Sequence, residues 1–227
     1  METAFMNINS EAINFKEDWN VGIGGGLWST GLAIAKYFEE HPSHIKNNLE
    51  NLFPGKRLSV LELGSGNGFL AVCLLALLKD KFESFVVTDL ANHLPLIKRT
   101  LDANQHLPQD KVTLMAHKWG HFSAPSENDT SLESKINNGD VTFDLIVGSD
   151  VAYHSNLYDI LIQSLCAFSN QKTIILLGVT MADTKAGFFQ KLKEKCFTYE
   201  RLADHLTPAQ FRGTTFGIFC LKRKTNR

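Results

Sequence analysis

Residues 61–72, LELGSGNGFLAV, run from an apolar strand through three alternate glycines into an apolar helix. Glycine loses more backbone freedom on folding than any other residue. Three of them in five positions are tolerated only where the chain must bend sharply or where something comes too close for a side chain. A strand that stops at such a turn and restarts as a helix presents bare backbone at the carboxyl edge of a sheet. Open α/β folds bind their ligands there.

The rest of the chain supports that placement. Near-continuous apolar runs at 57–63, 84–89, 111–117, 143–150 and 172–180 read as strands covered on both faces. Helical spacing fills the gaps at 67–79, 91–104, about 155–168 and about 183–196. Strands at 197–203 and 214–224 follow each other without a helix and read as an antiparallel hairpin at the sheet edge. The expectation is a doubly wound, Rossmann-like seven-stranded α/β sheet, mostly parallel. Residues 57–227 form the ligand-binding domain, and 1–56 are a lead-in and helix that complete its pocket, the whole being one globular unit. The first twenty residues read as a flexible lead-in that packs at one point, through Phe15 or Trp19. The segment GIGGGLWSTGLAIAKYFEE (22–40) reads as a glycine loop and a helix capped by Ser29 or Thr30. The polar tract 123–140 reads as a mobile surface insertion.

Ligand class follows from what the turn lacks. A dinucleotide site needs a third small residue at the position held here by Phe69. No Gly-Lys-Ser/Thr follows to hold a triphosphate. A nucleoside without phosphates fits better, with S-adenosyl-L-methionine as the candidate. Glu62 ends the first strand, and Asp89 ends the second, 25 residues after Gly64, where a carboxylate can accept both hydroxyls of a ribose.

Composition removes other classes. With 23 basic against 24 acidic residues and a net charge of −1, a non-specific nucleic-acid surface is not expected. The four cysteines are widely spaced and read as reduced thiols of an intracellular protein. The N-terminus does not read as a signal peptide, and no apolar run reaches the ~18 residues of a membrane span. The cytoplasm is the expected location, with the nucleus also open. No mixed Cys/His spacing suggests a metal, and none is expected.

The segments GGGLWSTGLAIAKYF, LELGSGNGFLAV, VVTDL, LDANQ, KWG and FDLIVGSDVAYH, spread over 22–154, together resemble a class I seven-strand methyltransferase. More narrowly, they are similar to the methyltransferase-like family 16 group of protein-lysine methyltransferases, which carry a D-x-x-Y motif after the fourth strand. The resemblance implies that Trp28 lines the cofactor pocket and that Glu62, Gly64, Gly66 and Gly68 form the methionine-side turn. It implies that Asp89 holds the ribose, Leu90 backs the adenine, Trp119 covers it and Ser149 approaches the cofactor's amino-acid end. Asp150 and Tyr153 would face the acceptor as the catalytic pair. Asp150 can alternatively cap the helix near Ser155, and His154 can move a proton or lie at the rim. The sequence departs from the family at Ser29, where members often carry an acidic residue. The implied activity is N-methylation of a lysine on a non-histone protein by a monomer, with no membrane or nucleic-acid partner. A small-molecule or arginine acceptor, or a non-catalytic cofactor-binding module, are the alternatives.

Overall fold

The computed structural model describes residues 2–124, 131–195 and 197–224. It opens with an antiparallel hairpin, β1 (Glu2–Ile8) and β2 (Glu11–Glu17), followed by α1 (Ser29–Glu40) and α2 (Pro42–Leu52). The alternating part comprises β3 (Leu58–Leu63), α3 (Phe69–Leu78), β4 (Phe82–Asp89), α4 (Leu94–Asp102), β5 (Val112–Ala116), α5 (Leu132–Asn138) and β6 (Leu145–Ser149). It continues through α6 (Tyr158–Phe168), β7 (Ile174–Thr180), α7 (Ala186–Glu194), β8 (Phe197–Arg201) and β9 (Phe216–Arg223).

The seven strands from β3 to β9 lie in the order β5-β4-β3-β6-β7-β9-β8. β9 runs antiparallel to both β7 and β8, and the other pairings are parallel. The doubly wound sheet with its antiparallel carboxyl-terminal edge is therefore present. Strand order reverses between β3 and β6, so their carboxyl ends, Leu63 and Ser149, flank the crevice where such a sheet binds ligands.

Side chains of β3 alternate between two cores. Val60 packs with Ile34, Phe69 and Leu74 on one face, and Leu61 packs with Ile146, Leu161 and Phe168 on the other. Helix α3 is apolar at all ten positions and is buried at nine, as a helix roofed by other elements must be. Its roof is α1 and the β1–β2 hairpin, with Ile8, Ile13 and Phe15 joining the same core.

Three expectations are corrected. The first twenty residues are a paired hairpin, not a flexible lead-in, because Ile8, Ile13 and Phe15 are buried and because Asn104 of the α4 loop ties β2 down. The Asn104 side chain donates to the Asn14 carbonyl at 2.6 Å and accepts from its N–H at 2.9 Å. Helix α2, which starts on Pro42, was not expected. The tract at 123–140 contains α5, capped by the Ser131 hydroxyl, whose Ile136 is fully buried in the second core. Residues 125–130 of that tract and Cys196 lie outside the described residues. Among the described residues, no helix is long and apolar enough to cross a membrane.

Candidate functional site

Each glycine of the turn has a positive φ: +70° at Gly64, +62° at Gly66 and +84° at Gly68. A side chain is excluded at two of them by close approach as well. A Cβ on Gly66 would lie 2.7 Å from the Gly24 carbonyl oxygen, and one on Gly64 would lie 2.9 Å from both Trp119 and Val151. The glycine loop before α1 therefore folds directly over the turn, and Trp119 lies against it. These residues line a cleft of about 500 Å³.

The cleft wall contains Trp28, Gly64, Gly66, Asp89, Leu90, Trp119, Ser149, Asp150 and Tyr153. Two of the expected cofactor residues are not in it. Glu62 is fully buried under the turn, and Gly68 starts α3 with Ile97 packed against it. His154 is exposed and stands outside the wall.

Asp89 ends β4 and accepts two backbone N–H groups, Gly66 on Oδ2 and Leu90 on Oδ1, each at 2.7 Å. Burial pushes its carboxyl above the usual range, and the Gly66 donor, His93 and the Leu90 donor oppose that. Glu62 receives one hydrogen bond, from Ser65 Oγ at 2.8 Å, and its Oε1 has no partner. Burial raises its carboxyl to about 8, the Ser65 hydroxyl opposes the rise and the Asp89 charge adds to it.

Asp150 follows β6 with a φ of +52°, a strained conformation for a residue with a side chain. Its environment explains how that conformation is held. Oδ2 accepts the Thr30 hydroxyl at 2.7 Å and the Thr30 N–H at 3.2 Å, and Oδ1 accepts the Thr180 hydroxyl at 2.8 Å. The Asp150 N–H donates to the Gly178 carbonyl at 2.9 Å. Asp150 thus caps a helix, but that helix is α1, not the turn at Ser155. Neither Ser29 nor Thr30 caps α1 with its own side chain; Trp28 occupies the cap position, and the carboxylate arrives from β6. That also supplies the first-turn negative charge which Ser29 does not. Burial raises the Asp150 carboxyl, with the Thr30 and Thr180 hydroxyls working against it. Tyr153 is half-buried beside this carboxylate's strand end, and its hydroxyl is raised by burial and by the Asp89 charge.

Residues that sequence reasoning missed complete the wall: Ile23, Gly24, His93, Lys118, Leu157, Ile160 and Asp183 among them. Asp183 is exposed just past the end of β7, close enough for its charge to raise Asp150. Its signal was positional only: it follows a strand end at the crevice.

The pattern of the lysine methyltransferase family matches residues 7–195. This chain belongs to the lysine methyltransferase family. Protein N-lysine methyltransferase METTL21A of Xenopus tropicalis is 26% identical over 218 residues, covering 92% of this chain and 86% of that protein. EEF1A lysine methyltransferase 3 of the same organism is 27% identical, covering 80% and 69%. Protein-lysine N-methyltransferase EFM6 of Saccharomyces cerevisiae is 26% identical, covering 76% and 70%. Among solved structures, the Thermus thermophilus 16S rRNA N2 G1207 methyltransferase, in complex with AdoMet and guanosine, superposes with a TM-score of 0.59. It shares 15% identity and covers 98% of this chain and 50% of that one. That likeness establishes the fold.

For a lysine methyltransferase the cleft has the right parts. Its volume is within the range of small-ligand sites, about 300–1,000 Å³. Gly64 and Gly66 bring backbone to the cleft wall, and Asn67 Nδ2 within the turn and Glu62 Oε1 beneath it are buried without partners. The wall combines apolar surface from Trp28, Leu90 and Trp119 with carboxylates on both sides of the sheet's switch point, Asp89 after β4 and Asp150 after β6.

Proposed function

We propose that this chain transfers a methyl group from S-adenosyl-L-methionine to the side-chain nitrogen of a lysine on a non-histone protein. The observation that carries this reading is a single cleft holding a glycine turn with Asp89 on the β4 side and Asp150 with Tyr153 on the β6 side. Asp89 would hold the ribose through a hydroxyl, the backbone at Gly64 and Gly66 would lie along the methionine part, and Leu90, Trp28 and Trp119 would supply apolar cover. When bound, the cofactor supplies an activated methyl on a sulfonium.

The protein's own task is to align the acceptor nitrogen and keep water out. A lysine ammonium, with an ordinary pKa of about 10.4, has to lose a proton before its nitrogen can attack. Asp150 attracts the ammonium and orients it. Its carboxyl, lifted by burial, is a better base than an exposed aspartate, so it can hold the released proton, directly or through water. Tyr153 offers a ring face to the cation or a hydroxyl to the amine. The near-zero net charge of −1 fits a protein partner better than a nucleic acid. We take the working unit to be a monomer that needs no membrane.

The test is transfer of tritiated methyl from the cofactor to a cell lysate. Label that resists nuclease, is lost to protease and maps to lysine by mass spectrometry is the expected result. Asp150→Asn should lower labelling about 100-fold, with S-adenosyl-L-homocysteine binding by calorimetry kept within about twofold. Asp89→Ala should instead weaken that binding about tenfold or more, the loss of about 1.4 kcal/mol or more. Label confined to nucleic acid or to small molecules would overturn the reading, as would full activity in Asp150→Asn.

A further inference from the structure

His93 stands immediately before α4, four residues after Asp89, and forms part of the cleft wall. Only 7% of it is exposed, and neither ring nitrogen has a hydrogen-bond partner. A buried imidazole without partners is costly, and buried polar groups are as a rule paired. The other buried histidine among the described residues, His117, 4% exposed, follows the rule and meets Ser164 Oγ through Nε2 at 2.9 Å. His93 is thus not an ordinary core histidine.

Its surroundings say what it serves. Nδ1 lies 3.4 Å from Asp89 Oδ1, just beyond a good hydrogen bond. Asp89 already accepts one backbone N–H on each oxygen, so Oδ1 keeps a lone pair for the His93 donor and Oδ2 keeps one for a ligand hydroxyl. The other edge of the ring faces the glycine loop: a Cβ on Gly24 would lie 2.8 Å from Nε2, and one on Gly22 would lie 3.9 Å from it. That loop is the same one whose Gly24 carbonyl covers Gly66. The imidazole is therefore wedged between the carboxylate assigned to the ribose and the loop that roofs the turn.

We propose that His93 is a positioning residue of the cofactor site, whose Nδ1–H closes the 3.4 Å gap to Asp89 Oδ1 and fixes the carboxylate with Oδ2 open to a ribose hydroxyl, the glycine loop seated on the opposite edge of the ring. It acts through Asp89. The proposal rests on the assignment of Asp89 to the cofactor ribose.

Calorimetric binding of S-adenosyl-L-homocysteine tests it without an acceptor. His93→Leu, which removes the donor, should weaken binding about fivefold to tenfold. His93→Asn, whose amide N–H occupies nearly the place of Nδ1–H, should stay within about twofold of wild type. In an Asp89→Asn background the His93→Leu step should change affinity less than about twofold, because the group it positions is altered. His93→Met serves the same comparison if the leucine variant does not fold. Wild-type affinity in the donor-less variant would overturn the proposal. So would an equal loss with and without Asp89, which is the mark of packing alone. Wild-type protein that binds no S-adenosyl-L-homocysteine would overturn the cofactor assignment itself, and this proposal with it; binding that survives every His93 change would overturn this proposal alone.

Discussion

Glu62 is a fully buried carboxyl group with one hydroxyl donor and one unpartnered oxygen. Its position at the end of β3 places it under the glycine turn, not in the cleft. Its ordinary value of 4.5 is raised to about 8. Between those two pH values the folded chain holds a proton there that the unfolded chain does not. The stability linked to Glu62 is therefore full below about pH 4.5 and is lost as the pH rises through about 8. Glu62→Gln, neutral at every pH, should melt close to wild type at pH 5. It should be more stable than wild type at pH 8.5, by on the order of 1–3 kcal/mol. Thermal melts of both proteins across that range check it, and a difference independent of pH would show that Glu62 is ionised in the fold. The neighbouring side chains make the same point about reading a site. Glu62 and Gly68 fall inside the motif that announces the cleft, yet burial and packing against Ile97 keep them out of its wall. His93 and Asp183 are in the wall, but a single histidine or aspartate in a loop carries no spacing by which to find it.

At the scale of elements, legibility followed the pattern of burial. Strands β3, β4, β6 and β7 are covered on both faces, so their apolar runs are nearly unbroken and their places could be read directly. The β1–β2 hairpin was hidden because its turn is Asn9-Ser10, with φ of 53° and 64°, where a glycine would have signalled the reversal. Helix α2 presents only Ile45, Leu49 and Leu52 among polar residues, too thin a stripe to stand out. Among the described residues of the tract at 123–140 a single buried one, Ile136, decides the packing of α5. The hairpin's attachment is a side-chain bridge that no local pattern encodes. Asn104, fully buried, also donates to the Thr100 carbonyl at 2.7 Å while holding both backbone groups of Asn14. Asn104→Ala would strand those groups and should cost about 2–3 kcal/mol. Chemical denaturation measures that loss, and hydrogen exchange should show the Asn14 amide opening ahead of the β3 amides.

Across the whole molecule, the cleft joins parts that are far apart in sequence. The Asp150 carboxylate receives Thr30 from α1 and Thr180 from the end of β7, while Gly178 leaves room for Thr30, 2.6 Å from where a Cβ would be. Thr180→Val removes one hydroxyl that keeps the carboxyl from rising further. The acid limb of the rate–pH profile should then move to higher pH, and transfer to lysate protein should fall about tenfold. Binding of S-adenosyl-L-homocysteine should stay near wild type, and Thr180→Ser should restore the profile. An unmoved profile would detach Thr180 from the chemistry. The left-handed turn at Asp150 gives this arrangement a further meaning. In the function proposed above, one side chain both meets the incoming substrate and fastens the first long helix to the sheet. A descendant that abandoned methylation by altering this position would also slacken its own amino-terminal third, so silence at this centre should leave a trace in the melting curve.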